Sequence, residues 1–156
     1  MWQGEIVSIY IASEASQPTQ VIDEVQAVPG IGLRGDRFHT LHSKNPGKHD
    51  PAREVTLIEI EAIEAIKRET GITIEPGEAR RNLITRNVPL NHLVGKEFRV
   101  GEVTLRGIRL CEPCNHLAQL TQPEVQPALV HRGGLRATIV TEGMIHPGDI
   151  VQEIET

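Results

Sequence analysis

Cysteine is scarce in this chain: Cys111 and Cys114 are the only two in 156 residues. Two thiols so close together exclude a disulfide framework and a long-loop staple, and they point to a reducing, cytosolic setting. Long apolar runs are also missing. The longest near the start, 6–12, is broken by Ser8 and has no basic leader. It falls far short of the ~20 residues that cross a bilayer, so neither a signal peptide nor a membrane anchor is expected. An excess of positive charge is missing too, since 16 Lys and Arg stand against 21 Asp and Glu for a net charge of −5. That removes any whole-molecule attraction to nucleic acid or an anionic membrane. No Gly-rich phosphate loop, no G-x-S-x-G elbow and no carboxylates paired at helical spacing occur, so nothing supports a hydrolase. No repeat, low-complexity tract or linker divides the chain, and its length with 38% apolar residues predicts one domain over 1–156.

What the sequence does contain is a succession of short segments rich in Val, Ile and Thr, separated by Gly or Pro. The segments 5–11, 20–28, 54–58, 96–100, 103–110, 135–140 and 149–154 read as strands. About seven short strands predict a mostly β fold, a sandwich or a distorted closed barrel with a few peripheral helices. One helix is clear over 59–70: Ala62, Ile63 and Ile66 share a face, and Gly71 provides the stop. The stretch 39–52 has no usable period and reads as a mobile loop, or as a lid over a site. Its histidines, His39, His42 and His49, read as solvated rather than as a metal cluster.

Charge is unevenly placed. Residues 54–78 carry a net −5, residues 80–109 a net +5, and 12 of the 16 basic residues are Arg. The planar guanidinium grips phosphate or carboxylate through two parallel hydrogen bonds, so the basic segment favours a small, doubly charged anion. A sharper local pattern is Leu110-Cys111-Glu112-Pro113-Cys114-Asn115-His116, between a strand and an expected short helix running through Leu120. A thiol at a helix start meets free N–H groups and the positive dipole end, which raise its thiolate fraction. Such a thiolate attacks, carries sulfur or binds a soft metal. Spacing alone does not choose among a zinc site completed by His116 and His131, a thioredoxin-like dithiol, two structural thiols and a thiolate serving a metal centre.

A further set of short motifs runs in order along the chain: Gly32-Leu33-Arg34-Gly35-Asp36-Arg37, Arg53-Glu54-Val55-Thr56-Leu57-Ile58, Arg80-Arg81-Asn82-Leu83-Ile84-Thr85, Leu93-Val94-Gly95-Lys96, Leu110 to Cys114, Gly134-Leu135-Arg136-Ala137 and Gly148-Asp149. In this order they resemble the MOSC domain, the module at the C-terminus of molybdenum cofactor sulfurases and in amidoxime-reducing molybdoenzymes. The resemblance implies that Cys114 is the functional thiolate, as molybdenum ligand or persulfide carrier, with Cys111 as a possible second thiol. It implies that Arg80, Arg81 and Asn82 help hold the phosphate and pterin of the molybdenum cofactor (molybdopterin). Gly35-Asp36-Arg37 reads as a tight turn that orients Arg34 or Arg37 toward the cofactor. Two functions follow from the resemblance: cofactor binding or sulfur transfer, extending to reduction of small N-hydroxylated substrates with electrons from a separate reductase, or a non-enzymatic carrier serving a partner. The chain is expected to lack the aminotransferase-like part of the sulfurases, and with it any pyridoxal phosphate site.

Overall fold

In the computed structural model, which describes residues 2–15, 17–111 and 132–154, seven strands close on themselves. The strands in chain order are β1 (Gln3–Ile11), β2 (Gln20–Ile22), β3 (Val25–Val28), β4 (Gly32–Leu33), β5 (Val55–Glu59), β6 (Leu83–Arg86), β7 (Glu97–Val100), β8 (Val103–Leu110), β9 (Leu135–Ile139), β10 (Gly143–Ile145) and β11 (Ile150–Glu153). The ring runs β11-β7-β8-β9-β5-β6-β1 and is shut by the pairing of β1 with β11, while β2 pairs further along that same edge of β1, at Ile9–Ile11. This is the distorted seven-stranded barrel expected from the sequence. Strands β10, β3 and β4 form a separate small sheet.

Alternation along each strand fills the barrel. Val55 and Leu57, Val103 and Leu105, and Leu135 and Ala137 point inward with Phe98, Val100 and Val151, all fully buried. Ile6 and Ile9 also lie inside, although residues three apart on a regular strand face opposite ways. A register shift between Ile6 and Ser8, where β1 meets β6, restores both to the interior. Burial of an aliphatic side chain of this size contributes about 1.5–3 kcal/mol.

Within the ring only β5 and β6 pair in parallel, and a parallel pair requires a crossover. Helix α2 (Ile60–Thr70) begins that crossover. Its Ala62, Ile63 and Ile66 pack against Ile58 and Ile84, the outward residues of β5 and β6, in a second apolar cluster. Gly71, at φ 76°, ends the helix in the left-handed region and donates its N–H to the Lys67 carbonyl. The predicted 59–70 helix is thus present, with Glu59 as its N-cap.

Three expectations change. The 20–28 segment is two strands, broken at Asp23 and Glu24, that belong to different sheets. Strands β4 and β10, two and three residues long, are too short to show a period, and β6, with Leu83, Ile84 and Thr85 all buried, shows no alternation. The stretch 39–52 is not a loop but helix α1 (Arg37–Lys44) followed by single 3-10 turns at Pro46–Lys48 and Pro51–Arg53. His42 is buried in it rather than solvated: its Nδ1 meets the Ile31 carbonyl at 2.7 Å, and its Nε2 accepts from the Asp50 N–H at 3.4 Å. A helix that buries a histidine instead of an aliphatic stripe leaves no apolar period to read. Among the described residues, no helix is long and apolar enough to cross a membrane.

Candidate functional site

The site begins with a buried carboxylate. The Asp36 N–H donates to the Leu33 carbonyl in a turn, and Asp36 caps the start of α1. Its side chain accepts from the Ala12 N–H at 3.0 Å, the Phe38 N–H at 3.4 Å and the Arg37 Nη1 at 3.1 Å. Asp36 therefore ties the end of β1 to the first turn of α1 and sets the direction of Arg37. From there Arg37 lies over the Phe38 ring, 4.6 Å from its centroid, and its Nη2 donates to the Arg80 carbonyl at 3.2 Å.

Residues 80–82 link the start of β6 to several distant parts of the chain. Arg80 is in the left-handed region at φ 59°, an uncommon conformation for a residue with a side chain, and its Nη1 donates to the Gln17 carbonyl at 2.6 Å. Burial lowers the Arg80 pKa, and the neighbouring charge of Arg37 lowers it further, with Asp36 acting in the opposite sense and Arg81 adding to the depression. Arg81 is 8% exposed, and its guanidinium donates to the carbonyls of Gly133 at 2.8 Å, Cys111 at 3.2 Å and Ala79 at 3.4 Å. Asn82 is fully buried: its Oδ1 accepts from the Thr56 N–H and hydroxyl at 3.0 and 3.1 Å, and its Nδ2 donates to the Tyr10 carbonyl at 3.0 Å.

These elements surround a cavity of about 540 Å³. Among the described residues Arg37, Lys44, Arg53, Arg80, Arg81 and Arg136 line it with one carboxylate, Glu14, with Phe38, Leu41 and Ala15 as apolar wall and Ser13, Thr40 and Asn45 as neutral polar groups. Arg136 is steadied by donation from its Nη1 to the Ala52 carbonyl at 3.3 Å, and Arg53 faces Asp50 at 3.8 Å. A concave surface with such an excess of guanidinium concentrates anions and holds them through charge-assisted bonds. The apolar wall accepts a flat or aliphatic portion of the same ligand.

Of the residues singled out in the sequence, Arg37, Arg80 and Arg81 come together around this cavity. Asp36 lies beneath it and Asn82 behind Arg81, each with its side chain engaged by the protein as described. Arg34 is exposed and is not among the lining residues; its N–H donates to the Gln26 carbonyl. Cys111 is a free thiol, 1% exposed, at the end of β8. Cys114, with the zinc alternative through His116 and His131 and the helix through Leu120, lies outside the described residues.

Lys44, Arg53 and Arg136 were not singled out as site residues, although Arg53 and Arg136 fall inside the short motifs quoted above. Conversely, of the seven cations in 80–109 only Arg80 and Arg81 line the cavity. Arg106, for one, pairs on the surface with Glu97 at 3.3 Å. Among the described residues no group of three or more His, Cys, Asp or Glu side chains is placed to hold a metal ion. His49 Nε2 instead donates at 2.7 Å to Glu54, a fully buried carboxylate that also accepts from the Ile139 N–H at 2.9 Å and the Thr138 hydroxyl at 2.8 Å.

Comparison with known proteins agrees with this architecture. The MOSC domain family model matches residues 39–152. The YuaD protein from Bacillus subtilis superposes with a TM-score of 0.81 at 18% identity, covering 99% of this chain and 100% of that one. YiiM from Geobacillus stearothermophilus superposes with a TM-score of 0.75 at 15% identity over 97% and 75% of the two chains. YiiM from Escherichia coli gives 0.68 at 16% identity over 100% and 71%. At these identities the likeness is one of fold. No curated protein matches.

Proposed function

The chain belongs to the MOSC domain family, and on that footing we propose that its cationic cavity binds the anionic part of a molybdenum–pterin cofactor, with Cys114 as the reactive thiolate. The family is associated with that cofactor in general. The observation that carries the reading is the wall itself, where among the described residues six cationic side chains stand against one carboxylate around about 540 Å³. The residues present fit the group. Arg37 and Arg80 lie close together, Arg80 is partly desolvated, and a bound phosphate relieves their mutual repulsion. Arg53, Arg136 and Lys44 extend the same positive surface, and Phe38 and Leu41 supply an apolar face for the pterin ring.

The cofactor, when bound, supplies two-electron redox chemistry at molybdenum, and it is also the group that accepts sulfur. The protein's part is to hold the anion, shield the ring and present the thiolate. Cys114 follows Cys111 by three residues, and a chain reaches at most about 3.6 Å per residue, so the tether from the end of β8 is short. Burial of Cys111 weighs against a dithiol and leaves the reactive role to Cys114. In the catalytic form of this reading, a small N-hydroxylated substrate is reduced with electrons from a separate reductase. A carrier that passes sulfur or cofactor to a partner uses the same cavity and the same thiolate.

The test is the molybdenum and pterin content of protein purified anaerobically from a host that makes the cofactor. Wild type and Cys111→Ser are expected to hold the metal near one per chain, and Cys114→Ser and the double variant Arg37→Gln/Arg80→Gln to lose it. Zinc, or no metal in any of them, overturns the reading. Turnover of a hydroxylamine-type substrate with an artificial electron donor then separates enzyme from carrier.

A further inference from the structure

Arg81 lines the cationic cavity, and three of its donors are directed at the main chain. Nε donates to Gly133, Nη2 to Cys111 and Nη1 to Ala79, three carbonyls drawn from separate stretches of the chain. Cys111 and Gly133 flank the segment 112–131, which carries Cys114. The same two ends are joined a second time by the Cys111 N–H, which donates to the Gly134 carbonyl at 2.7 Å. Gly134, at φ 107°, lies so close to β5 that a Cβ there would collide with the Leu57 carbonyl. The exit of β8 and the entry to β9 are therefore seated on β5, and a buried guanidinium holds both.

We propose that Arg81 is a positioning residue, a clamp that fixes the two ends of the Cys114-bearing segment at the edge of the anion cavity. The inference rests on the reading of Cys114 as the reactive thiolate. Arginine suits the task because its donors diverge in one rigid plane and reach several carbonyls at once, whereas an ammonium is a point charge on a flexible stem. Two consequences follow from the chemistry. Lysine at this position keeps the positive charge but loses the fork. The mobility of the Cys111 peptide and the environment of Cys114 then change together, while the other cations of the cavity stay in place.

Full-length Arg81→Lys and Arg81→Gln variants test this beside Arg80→Gln. The readouts are amide exchange at Cys111, the pH profile of Cys114 alkylation by iodoacetamide resolved by peptide mass spectrometry, and the affinity for inorganic phosphate. In both Arg81 variants Cys111 exchange is expected to rise by about tenfold or more while Val55 and Leu105 keep their protection. The Cys114 profile is expected to shift by at least about half a pH unit, with Lys giving no rescue. Phosphate affinity is expected to fall less in Arg81→Lys than in Arg80→Gln. Wild-type exchange and profile in Arg81→Lys overturn the clamp, because charge alone then suffices. A larger loss of phosphate in Arg81→Lys than in Arg80→Gln overturns it as well and makes Arg81 a direct ligand. If Cys114 in the wild type titrates as an ordinary thiol, the thiolate reading fails by itself, and unchanged or raised Cys111 exchange still decides the clamp.

Discussion

Helix α2 rests on the barrel by burying Ala62, Ile63 and Ile66 against Ile58 and Ile84, while α1 is fixed by polar groups. Asp36 holds its first turn to the end of β1, and His42, inside its last turns, bonds to Ile31 and Asp50. An apolar attachment is forgiving in detail and repeats every three to four residues. A polar attachment depends on a few atoms whose partners come from elsewhere in the chain, and each unpaired buried group is costly. The helix held by charge and hydrogen bonds is also the one that borders the anion cavity, so the precision of its attachment sets the position of Arg37.

Substitutions at the two attachments separate them. Asp36→Ala leaves the buried Ala12 N–H unpaired and Arg37 without its carboxylate; a loss of about 4 kcal/mol in urea denaturation is expected, with phosphate binding abolished in the folded fraction. Ile66→Ala opens a void under α2 and is expected to cost about 3 kcal/mol, with phosphate affinity of the folded protein unchanged. If both variants lose phosphate alike, the two helices are one cooperative unit and the contrast fails. Gly71→Ala places a side chain at φ 76° with open space around it and is expected to cost about 1 kcal/mol, read from the same urea transitions.

The smallest expected effects are in pH dependence, and the two helices differ in sign. On α1, burial lowers the His39 pKa below 6.5, followed by the charge of Arg34. The unfolded chain then takes up the proton more readily, so His39 contributes stability above pH 6.5 that declines as the pH falls through and below that value. At the N-cap of α2, burial and then the nearby Glu61 raise the Glu59 pKa above 4.5. Its contribution is present below pH 4.5 and is lost as the pH rises through the raised value. Urea midpoints followed against pH are expected to flatten on the acid side in His39→Gln and on the higher-pH side in Glu59→Gln. A flattening in the opposite limb for either variant refutes the assignment.

Legibility in the sequence followed the same division. Helix α2 and the longer strands could be read from the spacing of Ile, Val and Leu; the number of strands left a sandwich or a barrel open, and the ring takes β6, which the periodicity did not show, rather than the 20–28 segment. Strands β4 and β10 are too short to establish a period, β6 is buried on both faces without alternation, and α1 hides its helical character by burying His42. At the site, Arg80 and Arg81 stood out because they adjoin, and Arg37 because it follows the Gly35-Asp36 turn. Lys44, Arg53 and Arg136 join them only in space. The basic run over 80–109 promised a charged surface in one place, but strand alternation and the bends of the barrel distribute most of those side chains elsewhere.

The sequence alone determined the mostly β class, the covering helix, the family-like order of motifs and an arginine-rich chemistry, because each depends on residue type and on spacing within a few positions. Tertiary structure alone decided which cations face one cavity and which side chains serve the protein itself. Asn82 illustrates this: it is one residue from Arg81, yet its amide is committed to Thr56 and Tyr10, 26 and 72 positions away. Arg81 likewise depends on carbonyls 30 and 52 residues distant. Neighbours in sequence take different roles because side-chain direction follows the local strand geometry, and hydrogen-bond partners are supplied by chain closure around the barrel.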